Sequence, residues 1–472
     1  MTKILNQARG SSTDMVLAFE ESYATAQTQY GHRLSFNSSS IAASRELNTA
    51  ATIQPGRSPI EPFQGNGSVD GDYTLPLDLD QVGIFLKAAF GEPVTTEPAS
   101  KVKVSSITDN SGSIPGTVTL NLASAGDIAS GDRISVWGTE GYNGIHTVVS
   151  VSGSAVAIRG EYHEETPISA YCSKECFTHV FRIGDEQPSF TIEQLHKDIA
   201  EHFVYTGCKL SKLSFNAATD GQEATYTASV MGAKPLSCAA PRAITAASSS
   251  GGKLTLTTES GHGLSMGSEV AIAGISGLAG RHIVESVTDT SFTIVSDVKA
   301  PTISDGDEPV WTEAKVKVQS GQELPVRRLG TFSARIHKDG KEYRGGKGFT
   351  LEIDMGLDGD QRVIGDDGYR SSIPEGTVSI SSTLTAIFRD GTLFRAGSNN
   401  ETISLELRYT LPGGLGYLSF SIPESKVSES APAVDSPRGL SQEISCLAFC
   451  TSAATGGSAI TVTLSNAVPF YN

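Results

Sequence analysis

The chain is poor in the residues that mark secreted scaffolds and nucleic-acid-binding surfaces. Its 472 residues include only six cysteines, and 36 basic residues stand against 52 acidic ones, which gives a formal net charge of −16. So few cysteines in a chain of this length do not form a disulfide framework, and we expect assembly in a reducing compartment. The excess of acid argues against a protein that grips phosphate backbones, since such binding needs clustered Lys and Arg.

Long hydrophobic runs are lacking as well. The opening stretch, MTKILNQARGSSTDMVLAF, has no apolar run of the length that a signal peptide needs, and no later segment could span a bilayer. We therefore expect no membrane anchor. What the chain does contain is glycine (49 residues) and strand-forming Thr, Val and Ile in periodic segments. This composition predicts a mainly β chain of two to four domains.

A clear internal repeat joins GDIASGDRISVWGTEGYNGIHTVVSV (126–151) to GHGLSMGSEVAIAGISGLAGRHIVESV (261–287). The two segments align without a gap, and their shared positions are Gly131/Gly267, Gly138/Gly274, Gly141/Gly277, Gly144/Gly280 and His146/His282. Each unit has short alternating strands separated by glycine turns, which predicts a small β-sandwich or β-barrel.

A fainter repeat joins GSVDGDYTLPLDLDQVGIF (67–85) to GTVSISSTLTAIFRDGTLF (376–394). In both copies a strand of alternating polarity follows a long Pro/Gly-rich loop and runs into a short helix-like segment. In the first copy Asp78 or Asp80 can cap the helix, and Gly91 can end it. We expect this helix to bury one apolar stripe, formed by Val82, Phe85, Leu86 and Ala89.

These two repeats predict the domain organisation. The first domain comprises 1–98 plus 175–240, and the second is 312–472. The segments 101–172 and 241–311 are predicted to be inserted domains. The predicted fold class is therefore mainly β (α+β): one duplicated fold, a β-sheet or barrel with a flanking short helix, that carries one duplicated small β-sandwich or β-barrel insert.

Both copies of the fainter repeat show a polar strand face without a basic residue. Its members are Asp70, Asp72 and Thr74 in the first copy, and Thr377, Ser379 and Ser381 in the second. A period of two predicts that these side chains share the solvated face of a sheet. Taken alone, the pattern also fits the solvated face of any β-protein.

Motifs that would indicate an enzyme do not hold together. GLSMG (263–267) has the spacing of a nucleophile elbow, but Ser265 is expected in a turn of the second insert, and its repeat partner is Ala129. GKEYRGGKG (340–348) resembles a phosphate loop, but its lysine falls one place late and no Ser or Thr follows it. No paired-carboxylate or nucleophile constellation remains, so we expect neither catalysis nor a cofactor.

The histidines and cysteines favour structural roles over a metal site. The most zinc-like set does not have one of the strong zinc spacings, and consists of His163, Cys172, Cys176 and His179. The acidic loop 354–367 lacks the spacing of a calcium loop. His146 and His282 recur at one position of the two inserts, which predicts the same structural hydrogen bond in each.

Several segments resemble the major tail tube proteins of long-tailed bacteriophages. They are SYATAQT, SRELNTAATI, the glycine-led strand from Gly67, PSFTIEQLH, YTGCKLSKLSFNAATDGQEATYTASVMG and the closing ISCLAFCTSAATGGSAITVTLSNAVPFYN. The resemblance covers the two half-chains and not the inserts. It implies a sheet that joins its neighbours into a closed ring, a helix on the outer face and long loops through which rings stack. Six such domains usually complete a ring, so three two-domain chains would form a pseudo-sixfold trimer; a hexamer is the alternative.

The resemblance also implies a function and residues that serve it. The protein would be a structural virion protein that forms the conduit for DNA ejection, with Asp70, Asp72, Thr74, Thr377, Ser379 and Ser381 as candidates for the wall of the lumen. Such a wall would repel DNA weakly and only at short range, because the Debye length is about 8 Å at physiological salt. Candidates for ring stacking are the acidic loop residues and two arginines that could meet them: Asp358, Asp360, Asp366, Arg57 and Arg370.

The implied partners are further copies of the chain, a tape-measure protein, tail terminator and tip proteins, and passing DNA that is not bound specifically. The implied location is the virion tail, with assembly in the host cytoplasm. The inserts look like exterior decorations, which would obstruct a contractile sheath. The competing hypothesis is a β-rich surface adhesin whose inserts bind carbohydrate or protein.

Overall fold

A computed structural model describes residues 7–29, 31–53, 57–160, 162, 164–167, 169–258, 261–301, 303, 309–318, 328–411, 415–434, 439–452 and 457–471. Within these residues the chain is built from β-strands, with two short α-helices and two 3₁₀ turns (Gly10–Ser12 and Thr331–Ser333). The mainly β fold that the sequence predicts is confirmed.

The strands divide into a large sheet and two separate barrels. The first stretch of the large sheet contains β1 (Thr13–Phe19), β2 (His32–Leu34), β3 (Ser38–Ser39), β4 (Ala42–Asn48), β5 (Phe63–Pro76), helix α1 (Val82–Phe90) and β6 (Val94–Thr96). Six strands then close the first barrel: β7 (Val102–Asp109), β8 (Thr117–Leu122), β9 (Arg133–Trp137), β10 (Gly144–Ser152), β11 (Ala155–Arg159) and β12 (Tyr171–Ser173).

The chain then returns to the large sheet before it builds the second barrel. The returning strands are β13 (Phe177–Arg182), β14 (Phe190–His196), β15 (Glu201–Ala218), β16 (Thr225–Gly232) and β17 (Lys234–Leu236). The second barrel is closed by β18 (Arg242–Ser250), β19 (Lys253–Thr258), β20 (Glu269–Ala273), β21 (Gly280–Val287), β22 (Ser291–Val295) and β23 (Val310–Glu313).

The remaining elements complete the large sheet. They are β24 (Ala334–Lys338), β25 (Lys341–Glu342), β26 (Gly346–Asp354), β27 (Ser379–Ile387), helix α2 (Thr392–Ser398), β28 (Thr402–Thr410), β29 (Tyr417–Val427), β30 (Ser441–Ala448) and β31 (Thr461–Asn466). As the fainter repeat predicts, β5 and β27 each precede a short helix.

The two barrels lie close to the ranges predicted for the inserts. In each barrel, a strand near the entry of the chain pairs with a strand near its exit: Val102 lies opposite Cys172, and Arg242 lies opposite Trp311. Directly paired residues are about 5 Å apart, so the chain leaves each barrel beside the point where it entered. That geometry suits an insertion. The boundaries of the domains and the exterior position of the barrels stay predictions.

Helix α1 is buried more completely than its predicted stripe suggests. All nine of its residues are buried, including Lys87, whose Nζ donates to the carbonyl of Tyr471 at 2.5 Å. Gly83 makes this possible, because a Cβ there would lie 2.0 Å from the ring of Tyr471. The helix ends at Gly91 in a positive-φ conformation, as predicted. Asp78 acts just before the helix, where its Oδ1 accepts the backbone N–H groups of residues 80 and 81.

The two halves of the large sheet are joined by backbone pairing between β15 and β26. The register runs from Lys212 opposite Asp354 to Ala218 opposite Gly348. On its other edge the same part of β15 pairs with β16, and β16 pairs with β5. Beyond β26 the sheet continues through β27 to β30. A single sheet therefore runs from β4 in the first half to β30 in the second.

One hydrophobic core serves both halves. It lies on the buried face of this sheet and contains the helix α1 residues together with aromatic side chains from both halves. The rings of Phe215 and Phe420, one from each half, lie 4.4 Å apart. The chain outside the barrels is thus one packing unit.

The barrels dock on the large sheet with equivalent positions of their repeat. In the first barrel, Trp137 packs edge-on against Phe177 at 4.8 Å, and Ile145 lies against the main core. At the matching positions of the second barrel, Ala273 packs in a cluster with Leu195, while Arg281 enters a buried ionic contact. The repeat thus conserves the docking face but not its chemistry.

The contact of Arg281 is a buried charge network that joins the second barrel to β1 and β14. Its guanidinium reaches Glu193 at 3.0 Å, Asp14 at 3.1 Å and Glu269 at 3.4 Å. It also donates to the carbonyl of Val316 at 3.0 Å. All three carboxylate side chains are no more than 8% exposed. Buried carboxylates without a counter-charge are strongly destabilising, so this arginine holds barrel and sheet together.

Replacement of Arg281 by Met should loosen the second barrel. The change leaves buried carboxylates without their common partner, and we expect a loss of about 3–5 kcal/mol. Urea denaturation measures it, followed by fluorescence in a Trp137→Phe background, where the signal comes from Trp311 in the core of the second barrel. Lys253→Met is the control, because both side chains of the Lys253–Glu285 pair are partly exposed and the pair should contribute about 0–1 kcal/mol. Equal midpoints for R281M and the wild type would contradict the role of the network.

Candidate functional site

The candidate site is the polar face of the sheet that crosses both halves of the chain. Directly opposed residues on neighbouring strands share a face, so the pairing register gives its rows. One row runs through Asp72, Ser229, Lys212, Asp354 and Ser379. The adjacent row runs through Thr74, Thr227, Ser214, Glu352 and Ser381.

The structure therefore brings four of the predicted lumen residues onto one surface. Asp72 and Thr74 lie on β5, and Ser379 and Ser381 lie on β27, in the same two rows. These side chains are exposed or half-buried, while alternate residues of the same strands are buried. Thr377 is exposed and lies just before β27 begins. Because the two strands are on either side of the joint between the halves, the surface belongs to both.

The polar face carries a basic residue that comes from neither β5 nor β27. Lys212 lies in the row of Asp72, and its Nζ forms an ion pair with Glu352 at 3.0 Å. Both side chains remain partly exposed, so the pair contributes little to stability. The absence of bases holds for β5 and β27 but not for the whole face. Alternation along β15 (Lys212, Ser214, Asn216) is the sequence signal that could have placed this lysine there.

Asp70, the remaining lumen candidate, is occupied by Arg370. The guanidinium of Arg370 binds the carboxylate in a bidentate manner, with distances of 2.9 and 3.0 Å. It also donates to the carbonyls of Val69, Gly232 and Gly359, at 3.2, 3.1 and 2.8 Å. The Arg370 side chain is 8% exposed, whereas that of Asp70 is 44% exposed. Paired charges with planar geometry make this a strong anchor.

The anchor belongs to a long loop, 355–378, that connects β26 to β27 and lies over one end of the polar face. Nζ of Lys209 bonds to Glu375 at 2.5 Å and to the carbonyl of Ile373 at 3.0 Å. Burial disfavours the charge on Glu375, but the bond from Lys209 prevails and lowers its pKa. The ring of Tyr369 is contacted by the guanidinium of Arg45, 5.0 Å from its centroid. A loop of the second half is thus fixed on strands of the first.

The predicted stacking residues lie in different surroundings. Asp358, Asp360 and Asp366 are exposed on the loop 355–378, and Arg57 is exposed before β5. Asp358 accepts the backbone N–H of Asp360 and the amide of Gln361, and these bonds lower its pKa. Arg370 is held inside the chain, as described. Whether any of them meets another ring stays a prediction.

The described histidines and the cysteine considered above for a metal site make structural contacts. His146 and His282 each bond through Nε2 to a carbonyl four residues earlier, at 2.9 Å in both barrels, which confirms the predicted structural hydrogen bond. Both ring nitrogens of His179 are engaged, by Thr95 and by the carbonyl of Val468. Burial in the first barrel raises the pKa of the Cys172 thiol to about 12.

His163 lies outside the described residues. Among those that are described, no three His, Cys, Asp or Glu side chains are grouped so that they could hold a metal ion. Ser265 lies in a turn of the second barrel, where its hydroxyl is 3.4 Å from that of Ser268. No helix in the described part of the chain is long and apolar enough to cross a membrane.

Comparison with known protein families identifies the family to which the chain belongs. The sequence profile of the family described as phage tail tube protein matches residues 10–309 and 319–448. Because the match extends over most of the chain, the protein belongs to the phage tail tube family, and the resemblance found in the sequence is confirmed. No curated protein matches the chain. Membership makes the chain a structural protein of the virion tail that self-assembles into a tube.

Replacement of Arg370 by Met should release the loop 355–378 from β5. The change removes the partner of Asp70 and leaves three carbonyls without their donor, for an expected cost of about 1–3 kcal/mol. Limited proteolysis should show faster cleavage within the loop. Arg362→Met is a matched control, since its side chain makes only longer contacts in the same loop, at 3.3 and 3.7 Å. Equal cleavage rates for the two variants would refute the anchor.

Proposed function

We propose that the chain polymerises as stacked rings that form the conduit for DNA ejection. The observation that carries this proposal is the pairing of β15 with β26, which joins two half-chains into one sheet with a common polar face. A ring can be built by repeating this junction between chains as it occurs within one chain. Closure then removes the open edges of the sheet.

The strand that would form the second junction is β4. It pairs with β5 on one side, and no other described strand pairs with it. Nearly all its side chains are exposed, and Leu47 is 71% exposed. In the second half β26 has the same relation to β27, but its other edge is covered by β15. An open, exposed strand is an aggregation hazard unless a partner covers it.

The partner of β4 in this proposal is the end of β29 in the next copy. β29 pairs with β30 as β15 pairs with β16, but it ends at Val427, whereas β15 continues along the whole length of its hairpin. The described residues that follow, 428–434, form no strand, and Val434 is exposed. In this proposal residues 428–434, which directly follow β29, pair with β4 of the neighbouring copy, as β15 pairs with β26 inside the chain. Three copies with two domains each give a pseudo-sixfold ring, and six copies are the alternative.

The polar face would then line the lumen. Its rows are rich in Ser and Thr, with Asp72 and Asp354 beside the Lys212–Glu352 pair. DNA presents about one charge per 1.7 Å of its axis, and a basic wall would retain it by counterion release. Hydroxyl groups and a small excess of acid give no such hold. The wall therefore lets DNA pass without binding it.

The barrels would decorate the exterior. The aromatic and ionic docking contacts described above lie on β1, β13 and β14, none of which contributes to the polar rows. The position leaves the lumen clear and favours a tail without a contractile sheath. Tape-measure, terminator and tip proteins are the further partners that a tube of this kind would meet, and the host cytoplasm is where it would assemble.

Amide hydrogen exchange can test the proposed junction. On assembly, the amides of 42–48 and 428–434 should exchange more slowly, because they enter a new strand ladder. The amides of β26 provide the control, since both of its edges are already paired in the single chain. Native mass spectrometry of isolated rings should give three chains. Unchanged exchange in β4 within intact rings would rule out this junction, and six chains would favour the hexamer.

Charge reversal in one row can test the lumen. Asp72→Lys with Ser379→Lys should leave filaments intact in electron micrographs but reduce plating in a phage complementation assay. Filaments of this variant should also retain a short DNA duplex, measured by fluorescence anisotropy, and lose it as salt rises from 50 to 200 mM. Asp297→Lys on the second barrel is the control for added charge. Failure of the double variant to assemble would place these residues in a contact between chains instead.

A further inference from the structure

The β26–β27 hairpin carries features of opposite character at its two ends. At one end the strands are connected by the loop 355–378, and at the other lie Gly346, the first residue of β26, and Ile387, the last of β27. At about 3.3 Å per residue, these nine-residue strands separate the two ends by about 30 Å. Copies stacked along the strand direction would bring the loop of one against the open end of the next.

The loop presents acid and apolar side chains to solvent. Val363 and Ile364, at its tip, are 57% exposed and fully exposed. They are flanked by exposed carboxylates, namely Asp358, Asp360, Asp366 and Asp367. The loop's other charged groups are held within the chain: Arg370 by Asp70, Glu375 by Lys209, and Arg362 by Gly368 and Asp360. The tip of the loop therefore presents two aliphatic side chains that are surrounded by negative charge.

The open end of the hairpin has a basic and apolar surface, which is complementary to the acidic and apolar tip of the loop. Two cavities, of about 290 and 200 Å³, lie on either side of Tyr343, which contributes to both. Basic residues outnumber acidic ones in their walls: Arg335, Lys338, Arg344, Lys347 and Arg389 against Glu342 and Asp390. Apolar surface is present as well, since Phe332 is 74% exposed and Ile387 is 42% exposed. On a chain with a net charge of −16, a basic surface around an apolar groove is unusual.

Part of this positive charge is not neutralised within the chain. Glu342 is the ion-pair partner of both Arg335 and Arg344, at 3.8 and 3.0 Å. Lys347 donates to the hydroxyl of Ser441 at 3.1 Å and forms no ion pair with a described residue. One carboxylate shared by two guanidinium groups leaves a positive surface, which favours an acidic partner.

We infer that the tip of the loop 355–378 binds the groove around Tyr343 of a second copy of this chain, and that this contact stacks one ring on the next. The inference rests on the proposed assembly into stacked rings and identifies the surfaces that carry it. Val363 and Ile364 fill the apolar groove, and the surrounding aspartates face Arg335, Arg344 and Lys347. The contact joins unlike surfaces, so it does not close on itself and propagates into an open filament.

This arrangement assigns different partners from those that the sequence indicates. The sequence-based hypothesis pairs the acidic loop with Arg57 or Arg370. Arg370 is engaged by Asp70 and three carbonyls of its own chain, and its side chain is 8% exposed. Arg57 lies in the loop between β4 and β5, which corresponds in the first half to the acidic loop itself. The groove around Tyr343 lies at the opposite end of the hairpin, where a stacked copy arrives.

A charge exchange tests the contact. Asp360→Lys with Asp366→Lys should preserve rings but reduce filament length at least tenfold in electron micrographs at equal protein concentration. Both carboxylates are exposed: Asp360 is 98% exposed, and its contact is a 3.7 Å ion pair with Arg362 of the same loop. When Arg344→Asp and Lys347→Asp are added, filament length should recover. Asp289→Lys with Asp297→Lys on the second barrel is the matched control, because it changes the net charge equally.

A second variant tests the apolar half of the contact. Val363→Ser with Ile364→Ser removes the exposed aliphatic groups and should also yield rings without long filaments. Wild-type-length filaments from either double variant, or no recovery on charge exchange in a protein that still forms rings, would overturn the inference while leaving the tube function in place. If the wild-type chain forms neither rings nor filaments, the proposed function itself fails.

Discussion

The backbone pairing of β15 with β26 is the constraint on which the rest of the structure depends. Hydrogen bonds between strands use main-chain groups, so two half-chains with different side chains continue one sheet. Alternation then gives this sheet a polar face and a buried face over its whole width. The core on the buried side is shared, as the contact between Phe215 and Phe420 shows. Among the described residues, one contiguous hydrophobic core contains side chains of both halves.

Features that depend on local periodicity could be predicted from the sequence. The alternation of β5 and β27 places Asp72, Thr74, Ser379 and Ser381 on a solvated face without knowledge of any partner strand. The gapless repeat locates both barrels and the hydrogen bond of their shared histidine, because the same glycine turns impose the same backbone. Gly91 ends helix α1 through its own positive φ. Each of these is determined within a few residues of chain.

Features that depend on distant partners could not be predicted. Period-two patterns tell which face a residue occupies but not which strand lies beside it, so the row that brings Lys212 next to Asp354 was hidden. The carboxylate of Asp70 looked free, because its partner Arg370 is remote in sequence. Helix α1 looked amphipathic, but Tyr471 covers the side that its pattern left polar. In each case the neighbours of a side chain are set by tertiary contacts, which the local sequence pattern does not specify.

The presence of both halves in one chain also bears on the energetics of the proposed ring. Each free association of two proteins loses translational and rotational freedom, at an estimated cost of 4–15 kcal/mol. A junction made by β15 and β26 inside the chain avoids that loss, so a pseudo-sixfold ring of three chains has half as many junctions between chains as a ring of six. The halves are then free to differ. The loop 355–378 is acidic and is anchored on the first half, whereas β4 is paired along one edge only within the described residues. The internal junction uses both halves, and in the proposed ring β4 of the first half meets residues 428–434 in the second half of the next copy. Each chain would thus present two unlike edges, so the ring closes head to tail.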